Sequence, residues 1–134
     1  MNQPKRAKIL VVDDDDGMRQ TLDTALSRAG YFIVQCSDGG DVIGLLQERR
    51  IDLLITDVFM LETDGLETIT KVRNEFPDIK IIAISGGSRL AKHDYLPVAA
   101  KLGAHRTLHK PIDTPLLLKT VKELLSPADT KRAA

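Results

Sequence analysis

The sequence predicts an α/β fold in which five parallel strands form one sheet that helices cover on both faces. Five short apolar runs recur along the 134 residues, and each is followed by a segment whose apolar residues fall on one face of a helix. The first run is continuous rather than alternating, which indicates a strand buried on both faces. Crossovers of this length join parallel neighbours in the right-handed sense.

The strands are predicted at the apolar runs, at residues 9–12, 32–34, 53–56, 79–84 and 105–108. The third run, Leu53-Leu54-Ile55, leads directly into Thr56 and Asp57. A carboxylate at that point leaves the low-dielectric sheet where its charge needs water or a cation. This strand is therefore the one around which we expect the chain to be organised.

Apolar residues at helical spacing predict a helix after each strand. The fourth helix is expected over residues 95–102, and the stripes of the others are Met18, Leu22, Ala25, Leu26 and Ala29; Val42, Ile43, Leu45 and Leu46; Leu66, Ile69, Val72 and Phe76; and Leu116, Leu117, Val121, Leu124 and Leu125. Gly30 and Gly103 are expected to end the first and fourth helices. Pro77 stops the third helix, and Asp113 caps the fifth.

The composition indicates one domain over residues 8–125, with an extension at 1–7 and a tail at 126–134. Lys plus Arg equals Asp plus Glu at 19 each, so the chain lacks the basic surface that DNA binding requires. One cysteine, Cys36, permits no internal disulfide, fits a reducing cytoplasm and is expected in the core. The apolar runs are too short for a membrane span or a signal peptide.

Polar side chains follow four of the predicted strands. In open parallel sheets, sites lie at the carboxyl edge where the strand order reverses, and we adopt the flavodoxin-like order 2-1-3-4-5 by analogy. That order places Asp13 and Asp14 after strand 1, Asp57 after strand 3, Ser85 after strand 4 and Lys110 after strand 5.

Three carboxylates at one edge would repel one another by several kcal/mol at moderate dielectric. A hard divalent cation with oxygen ligands, together with Lys110, would compensate that charge. Because Mg²⁺ usually combines one or two carboxylates with phosphate oxygens and waters, the set predicts a phosphoryl-transfer site. Asp57 would be the nucleophile that becomes an aspartyl-phosphate, and the Ser85 hydroxyl would donate to a phosphoryl oxygen.

Each of these signals also has an ordinary structural interpretation. An Asp run before a helix commonly caps it, here through Asp15 or Asp16. Ser-Gly-Gly is commonly a turn, and Lys-Pro commonly marks a bend with a solvated lysine. For each motif taken alone, the ordinary structural interpretation is favoured. Because all of the motifs lie at one edge of the predicted sheet in one register, a functional site is favoured for the set.

The motifs LVVDD, LLITD with a downstream DG, IIAIS and LHKP, in this order, resemble the receiver domain of bacterial response regulators, over residues 8 to 125. The resemblance implies a single-domain regulator in which Asp57 accepts phosphate from the phosphohistidine of a histidine kinase or phosphotransfer protein. It implies a Mg²⁺ site formed by Asp13, Asp14, Asp57 and the Phe59 backbone carbonyl, with Asp14 the favoured direct ligand of the acidic pair. Ser85 and Lys110 would be the switch hydroxyl and the switch lysine.

Two positions depart from the family pattern. Leu61 stands where proline is usual, and Thr107 stands where an aromatic switch residue is usual, so the switch at Thr107 is uncertain. His93, Tyr95 or a partner are the alternatives for that role. His93, His105 and His109 lack a metal-ligand spacing and are expected to face solvent.

Two alternative functions compete with a phosphorylated receiver. Asp14 and Asp16 with Gly17 also resemble the first motif of haloacid-dehalogenase-like phosphatases, although no acidic pair follows Lys110. A receiver that serves only as an unphosphorylated interaction module is the other. As a receiver, the chain is expected to be a monomer or weak dimer that signals through contacts with a downstream protein target or shuttles phosphate in a phosphorelay, without contacting DNA or membrane. It is expected to be a signalling domain rather than an enzyme, catalysing only its own phosphotransfer and dephosphorylation. We expect this chain to dock an acidic partner through a loosely basic face. The residues of that face are Arg89, Lys92, Lys101, Arg106, Lys119 and Lys122.

Overall fold

The computed structural model describes residues 6–59, 64–86 and 95–126. Its five strands all pair in parallel in the order β2-β1-β3-β4-β5, which confirms the predicted fold class and strand order. The strands are β1 Lys8–Val12, β2 Phe32–Cys36, β3 Leu53–Asp57, β4 Lys80–Ser85 and β5 Arg106–His109. The sequence-based expectations for Leu61, Arg89, Lys92, His93 and the tail beyond residue 126 lie outside the described residues.

A helix follows each strand, as the apolar stripes predicted. The helices are α1 Asp16–Arg28, α2 Val42–Glu48, α3 Gly65–Glu75, α4 Leu96–Leu102 and α5 Thr114–Leu125, with a short 3₁₀ turn, Gly39–Asp41, before α2. No helix in the described part of the chain is long and apolar enough to cross a membrane.

The sheet separates two apolar layers, because successive side chains of a strand point to opposite faces. Helices α2, α3 and α4 cover one face, which includes Leu10, Leu54 and Ile81. Helices α1 and α5 cover the other face, which includes Ile9 and Ile55. Burial on both faces explains why the strands are continuous apolar runs, and Cys36 lies in the core as predicted.

Aspartates begin three of the helices in the same way. The carboxylate of Asp15 accepts the Met18 amide at 3.1 Å, and Asp64 and Asp113 accept amides in the first turns of α3 and α5. Such caps satisfy amides that have no partner inside the helix. Of the two cap candidates for α1, the structure uses Asp15.

The helix stripes were partly wrong at their edges. Leu116 was expected to face inward, but 48% of its surface is exposed. The buried face of α5 is centred on Leu117, Val121 and Leu124, and Thr120 joins it; its hydroxyl donates to the Leu116 carbonyl at 2.7 Å and so needs no outside partner. Ala29 is exposed as well, because α1 ends one residue before it.

His105 does not simply face solvent, contrary to the expectation. Its Nδ1 accepts the Ile81 amide at 3.0 Å, and the ring is partly buried. Strand β5 begins one residue later, so the imidazole supplies an acceptor at the end of the ladder. Burial, and then the positive charges of Lys80, Arg73 and Arg106, lower the pKa of His105, which favours the neutral ring that this hydrogen bond needs.

Gly65 lies where α3 begins against the end of β3. A Cβ at this position would lie 2.3 Å from the Asp57 carbonyl oxygen and 2.6 Å from that of Val58. We predict that Gly65→Ala lowers the free energy of unfolding by about 1–3 kcal/mol, because backbone rather than a flexible side chain must move. Denaturant titration would measure it.

The control is Gly44→Ala in α2, where a Cβ would meet nothing within 4 Å. Alanine should stabilise this helix position by roughly 0.5–1 kcal/mol. Wild-type stability of Gly65→Ala would show that the approach of α3 to β3 is not a constraint on the fold.

Candidate functional site

The carboxyl edge of the sheet brings together the residues that follow β1, β3, β4 and β5. In the ladders, Val12 pairs with Thr56, Asp57 with Ile84, and Ser85 with His109. These neighbouring strands therefore end at nearly the same level. The groups at their ends are consequently close in space although they are far apart along the chain.

Three carboxylates form the centre of this edge. Asp13, Asp14 and Asp57 each offer one oxygen, and the three oxygens all lie within 4.8 Å of one another. Asp13 is 1% exposed and Asp57 is 5% exposed, whereas Asp14 is more accessible. Two buried carboxylates beside a third that solvent reaches are costly unless a positive charge compensates them.

Lys110 supplies part of that charge. Its Nζ lies 2.9 Å from Asp57 Oδ2 and 3.0 Å from Asp13 Oδ2. Its amide donates to the Ser85 carbonyl at 2.9 Å, which ties the turn after β5 to the end of β4. Among the described contacts, this one ammonium is therefore shared by the two buried carboxylates, Asp13 and Asp57.

Backbone groups hold the two buried carboxylates. The Phe59 amide donates to Asp57 Oδ1 at 3.0 Å, and the Asp15 amide donates to Asp13 Oδ1 at 3.0 Å. The Asp13 amide in turn donates to the Cys36 carbonyl of β2 at 3.1 Å. Both side chains are thus fixed before any ligand arrives.

The pKa values of Asp57 and Lys110 are both raised above their ordinary values. Burial raises the pKa of Asp57 more than the hydrogen bonds from Lys110 and the Phe59 amide lower it, and the negative charge of Asp13 adds to the rise. Burial alone would lower the pKa of Lys110, but its hydrogen bonds to Asp57 and Asp13 raise it. Burial is thus the main cause of the shift at Asp57, whereas hydrogen bonds to two carboxylates outweigh burial at Lys110.

The donor set fits a hard divalent cation. Mg²⁺ binds carboxylate and carbonyl oxygens and retains several waters. The cluster offers such oxygens, includes one acid that solvent reaches, and contains two buried carboxylates that share one ammonium. Soft or imidazole-ligated metals fit it poorly, because its described donors are all carboxylates.

The structure brings Asp13, Asp14, Asp57 and Lys110 into one cluster. Ser85 is buried at the end of β4, where its carbonyl accepts the Lys110 amide. The Phe59 backbone lies beside this cluster, since its amide donates to Asp57, while 40% of the residue's surface is exposed. Thr107 and Asp16 occupy separate positions: Thr107 is partly buried in β5 opposite Ala83, and Asp16 is exposed and paired with Arg19.

Sequence reasoning missed two side-chain contacts beside the cluster. Arg19 donates to the Asp13 carbonyl at 2.6 Å; its spacing of three from Asp16 was the available signal. The Phe59 ring meets the Tyr95 ring edge to face, with centroids 4.7 Å apart. No local pattern predicts that second contact, since 36 positions separate the partners.

Comparison with known proteins decides the family. The model of the response regulator receiver domain matches residues 9–122. The chain belongs to the response regulator receiver family. The resemblance inferred from the four motifs is thereby confirmed, and the phosphatase alternative is wrong. Receivers are signalling domains of two-component systems that bind Mg²⁺ at an acidic pocket.

Several known proteins are similar to this receiver. The response regulator receiver protein CpdR of Brucella abortus is 38% identical over 84 residues, covering 63% of this chain and 70% of CpdR. The sensor kinase CckA of the same organism is 34% identical over 125 residues, covering 92% of this chain but only 13% of CckA. The solved structure of chemotaxis protein CheY4 of Vibrio cholerae has a TM-score of 0.79 at 30% identity, covering 90% of this chain and 100% of that one.

The raised pKa of Asp57 leads to a prediction about stability. An ionised carboxylate with a raised pKa lowers native stability at pH values above that pKa. In EDTA, Asp57→Asn should therefore raise the melting temperature at neutral pH. The gain should shrink as pH falls through the native pKa towards the ordinary value of 3.8, because wild-type Asp57 is then protonated in both states.

The matched control is Asp113→Asn, at an exposed helix cap where Asn serves equally well. Its melting temperature should stay near that of wild type across the same pH range. An Asp57→Asn protein that melts below wild type at neutral pH would show that the ionised Asp57 carboxylate does not destabilise the native state.

Proposed function

We propose that this receiver accepts a phosphoryl group on Asp57 from the phosphohistidine of a histidine kinase or phosphotransfer protein. The observation that supports the proposal is the geometry of Asp57. Its carboxylate is buried at the end of β3, bound by Lys110 at 2.9 Å, and lies among Asp13 and Asp14. Asp57 is the last residue of β3, the central strand of the sheet, whereas Asp13 follows the end of β1.

In the transfer, a carboxylate oxygen of Asp57 forms a bond to phosphorus as the bond from phosphorus to the imidazole nitrogen breaks. The electron pair of the broken bond stays on the imidazole. Lys110 would neutralise charge on a phosphoryl oxygen, and the Ser85 hydroxyl would donate to another. The buried residues of β3 that precede Asp57 exclude water from the side of the carboxylate that faces the sheet.

Mg²⁺ would be held by Asp13, Asp14, Asp57 and the backbone carbonyl of Phe59. When bound, it supplies positive charge to the phosphoryl oxygens. Asp14 is the carboxylate most accessible to an incoming ion, whereas the other two are held by backbone amides. Lys110 binds both Asp57 and Asp13, so phosphorylation of Asp57 would exchange its partners rather than recruit a free lysine.

We propose that this exchange starts the signal. The Lys110 side chain would move from the carboxylates to a phosphoryl oxygen. The hydrogen bond from its backbone amide to the Ser85 carbonyl would then transmit the shift to the ends of β4 and β5. A second route runs through Phe59, whose amide binds Asp57 and whose ring contacts Tyr95 at the N-terminus of α4. Because Thr107 has no ring, the Phe59–Tyr95 contact is the aromatic link that this receiver offers.

The output is proposed to be a protein contact. Four exposed cations lie on α4 and β5, which the two routes would move, and on α5, which follows β5 in the chain: Lys101, Arg106, Lys119 and Lys122. An acidic surface on a kinase, a phosphotransfer protein or a downstream target would complement them. This arrangement makes docking sensitive to the state of Asp57.

The first test is phosphorylation itself. We predict that acetyl phosphate with Mg²⁺ adds one phosphoryl group to wild type, seen in the intact mass, and none to Asp57→Asn. EDTA should prevent labelling, since the clustered carboxylates would otherwise repel the anionic donor. Asp64→Asn, at an exposed cap outside the cluster, should label normally. Full labelling of Asp57→Asn, or labelling in EDTA, would refute the proposal; no labelling of wild type would favour an unphosphorylated module.

A second test concerns transmission. We predict that Lys110→Ala accepts phosphate more slowly and no longer changes amide exchange in β5 on phosphorylation, because the group that changes partners is gone. Lys101→Ala, an exposed lysine of α4, should respond like wild type. Equal exchange changes in Lys110→Ala and wild type would remove Lys110 from the switch.

The same exchange measurement separates the aromatic route. Tyr95→Leu should label on Asp57 and keep the response in β5, but lose the response in α4. A wild-type response in α4 would show that the Phe59–Tyr95 contact carries no signal.

The third test addresses docking. We predict that reversing two charges, Lys119→Glu with Lys122→Glu, weakens binding to the cognate kinase by roughly tenfold through a slower association. Labelling by acetyl phosphate should stay normal, since both residues lie on α5 away from the acidic cluster. Lys71→Glu with Arg73→Glu on α3 is the control with the same charge change. Equal affinities for the two double variants would contradict the proposed face.

A further inference from the structure

Arg19 joins the acidic loop after β1 to the rest of the domain. It lies in the first turns of α1, and 13% of its side chain is exposed. Its Nη1 donates to the backbone carbonyl of Asp13 at 2.6 Å, its Nη2 pairs with Asp16, and its Nε donates to Gln35 Oε1 at 3.3 Å. One planar guanidinium thus contacts the loop, the helix start and β2.

The backbone of Asp13 is held from two sides as a result. Its amide donates to the Cys36 carbonyl at 3.1 Å, and its carbonyl accepts from Arg19. The carbonyl that Arg19 grips belongs to the peptide linking Asp13 to Asp14. The direction in which the chain leaves β1, and therefore the position of the Asp14 carboxylate, depends on this contact.

Arg19 is itself held from outside. Gln35 accepts from it and donates through Nε2 to Asp23 Oδ2 at 2.7 Å, and Ser27 donates to Asp23 Oδ1 at 2.6 Å. The chain of contacts returns to α1, so Arg19 has little freedom to follow a ligand. Lysine could not reproduce it, because an ammonium lacks the planar fork that reaches three acceptors.

We propose that Arg19 is a positioning residue that preorganises Asp13 and Asp14 for the divalent cation; this inference rests on the proposed metal-dependent function. Charge and geometry act in opposite directions here. The positive charge of Arg19 disfavours a nearby cation, whereas its hydrogen bonds hold the ligands together. A role through charge and a role through position therefore predict opposite effects of mutation.

The experiment measures Mg²⁺ affinity by titration calorimetry, without a phosphoryl donor. Arg19→Lys keeps the charge and Arg19→Gln removes it, and both should weaken Mg²⁺ binding by roughly tenfold, as is typical when a residue that orients metal ligands is lost. Arg28→Lys and Arg28→Gln at the other end of α1 are the controls and should bind as wild type does. Unchanged affinity in Arg19→Lys with tighter binding in Arg19→Gln would overturn the proposal.

Labelling by acetyl phosphate gives a second readout. In Arg19→Lys, the Mg²⁺ concentration for half-maximal labelling should rise in proportion to the lost affinity, while the rate at saturating Mg²⁺ returns to that of wild type. A lower maximal rate at unchanged Mg²⁺ affinity would assign Arg19 another role and overturn the proposal.

A variant at Gln35 keeps the test decisive if thermal melts show Arg19→Lys to be unfolded. Gln35 is exposed, so Gln35→Ala should fold and weaken Mg²⁺ binding in the same direction by a smaller factor, with Gln47→Ala as control. Wild-type affinity in Gln35→Ala would then overturn the proposal. Wild-type protein that neither binds Mg²⁺ nor labels would instead refute the proposed function itself.

Discussion

The ion pair between Asp57 and Lys110 is the interaction around which the site of this receiver is organised. A buried carboxylate at the end of the central strand needs a positive charge, and Lys110 provides it at 2.9 Å. The same ammonium also binds Asp13 at 3.0 Å, so two buried carboxylates share one positive charge. Burial raises the pKa of Asp57 more than Lys110 lowers it, so the ionised carboxylate would gain from a divalent cation.

The fold holds these charged side chains together at one edge of the sheet. Parallel strands of matching register end together, so residues far apart in sequence meet at one edge. The amides of Asp15 and Phe59 hold the buried carboxylates of Asp13 and Asp57 in place. Gly65 lets α3 begin against the backbone of Asp57 and Val58, and Arg19 grips the loop after β1. The charge cluster is therefore prepared by packing and backbone contacts before any ligand binds.

Much of the fold and of the cluster could be predicted because both are encoded by local pattern. Continuous apolar runs and helical stripes identify the elements, and the polar residues after Val12 and Thr56 identify the site once strand order is known. What failed depends on contacts between distant residues. Tertiary neighbours set the exposure of Leu116, the hydrogen bond from the Ile81 amide to His105 and the Phe59–Tyr95 contact. The sequence likewise did not show that Lys110 binds Asp13 as well as Asp57.

We propose that two buried carboxylates sharing one ammonium, beside the accessible Asp14, make this edge a cation-dependent phosphoryl site. The most direct test is an amide chemical-shift titration of the wild-type protein with Mg²⁺ in solution. We expect saturable, one-site shifts centred on residues 13–15, 57–59 and 110, with little change at exposed acids such as Asp78 and Asp113. Shifts that fail to saturate, or that are no larger at the cluster than at those exposed acids, would contradict it.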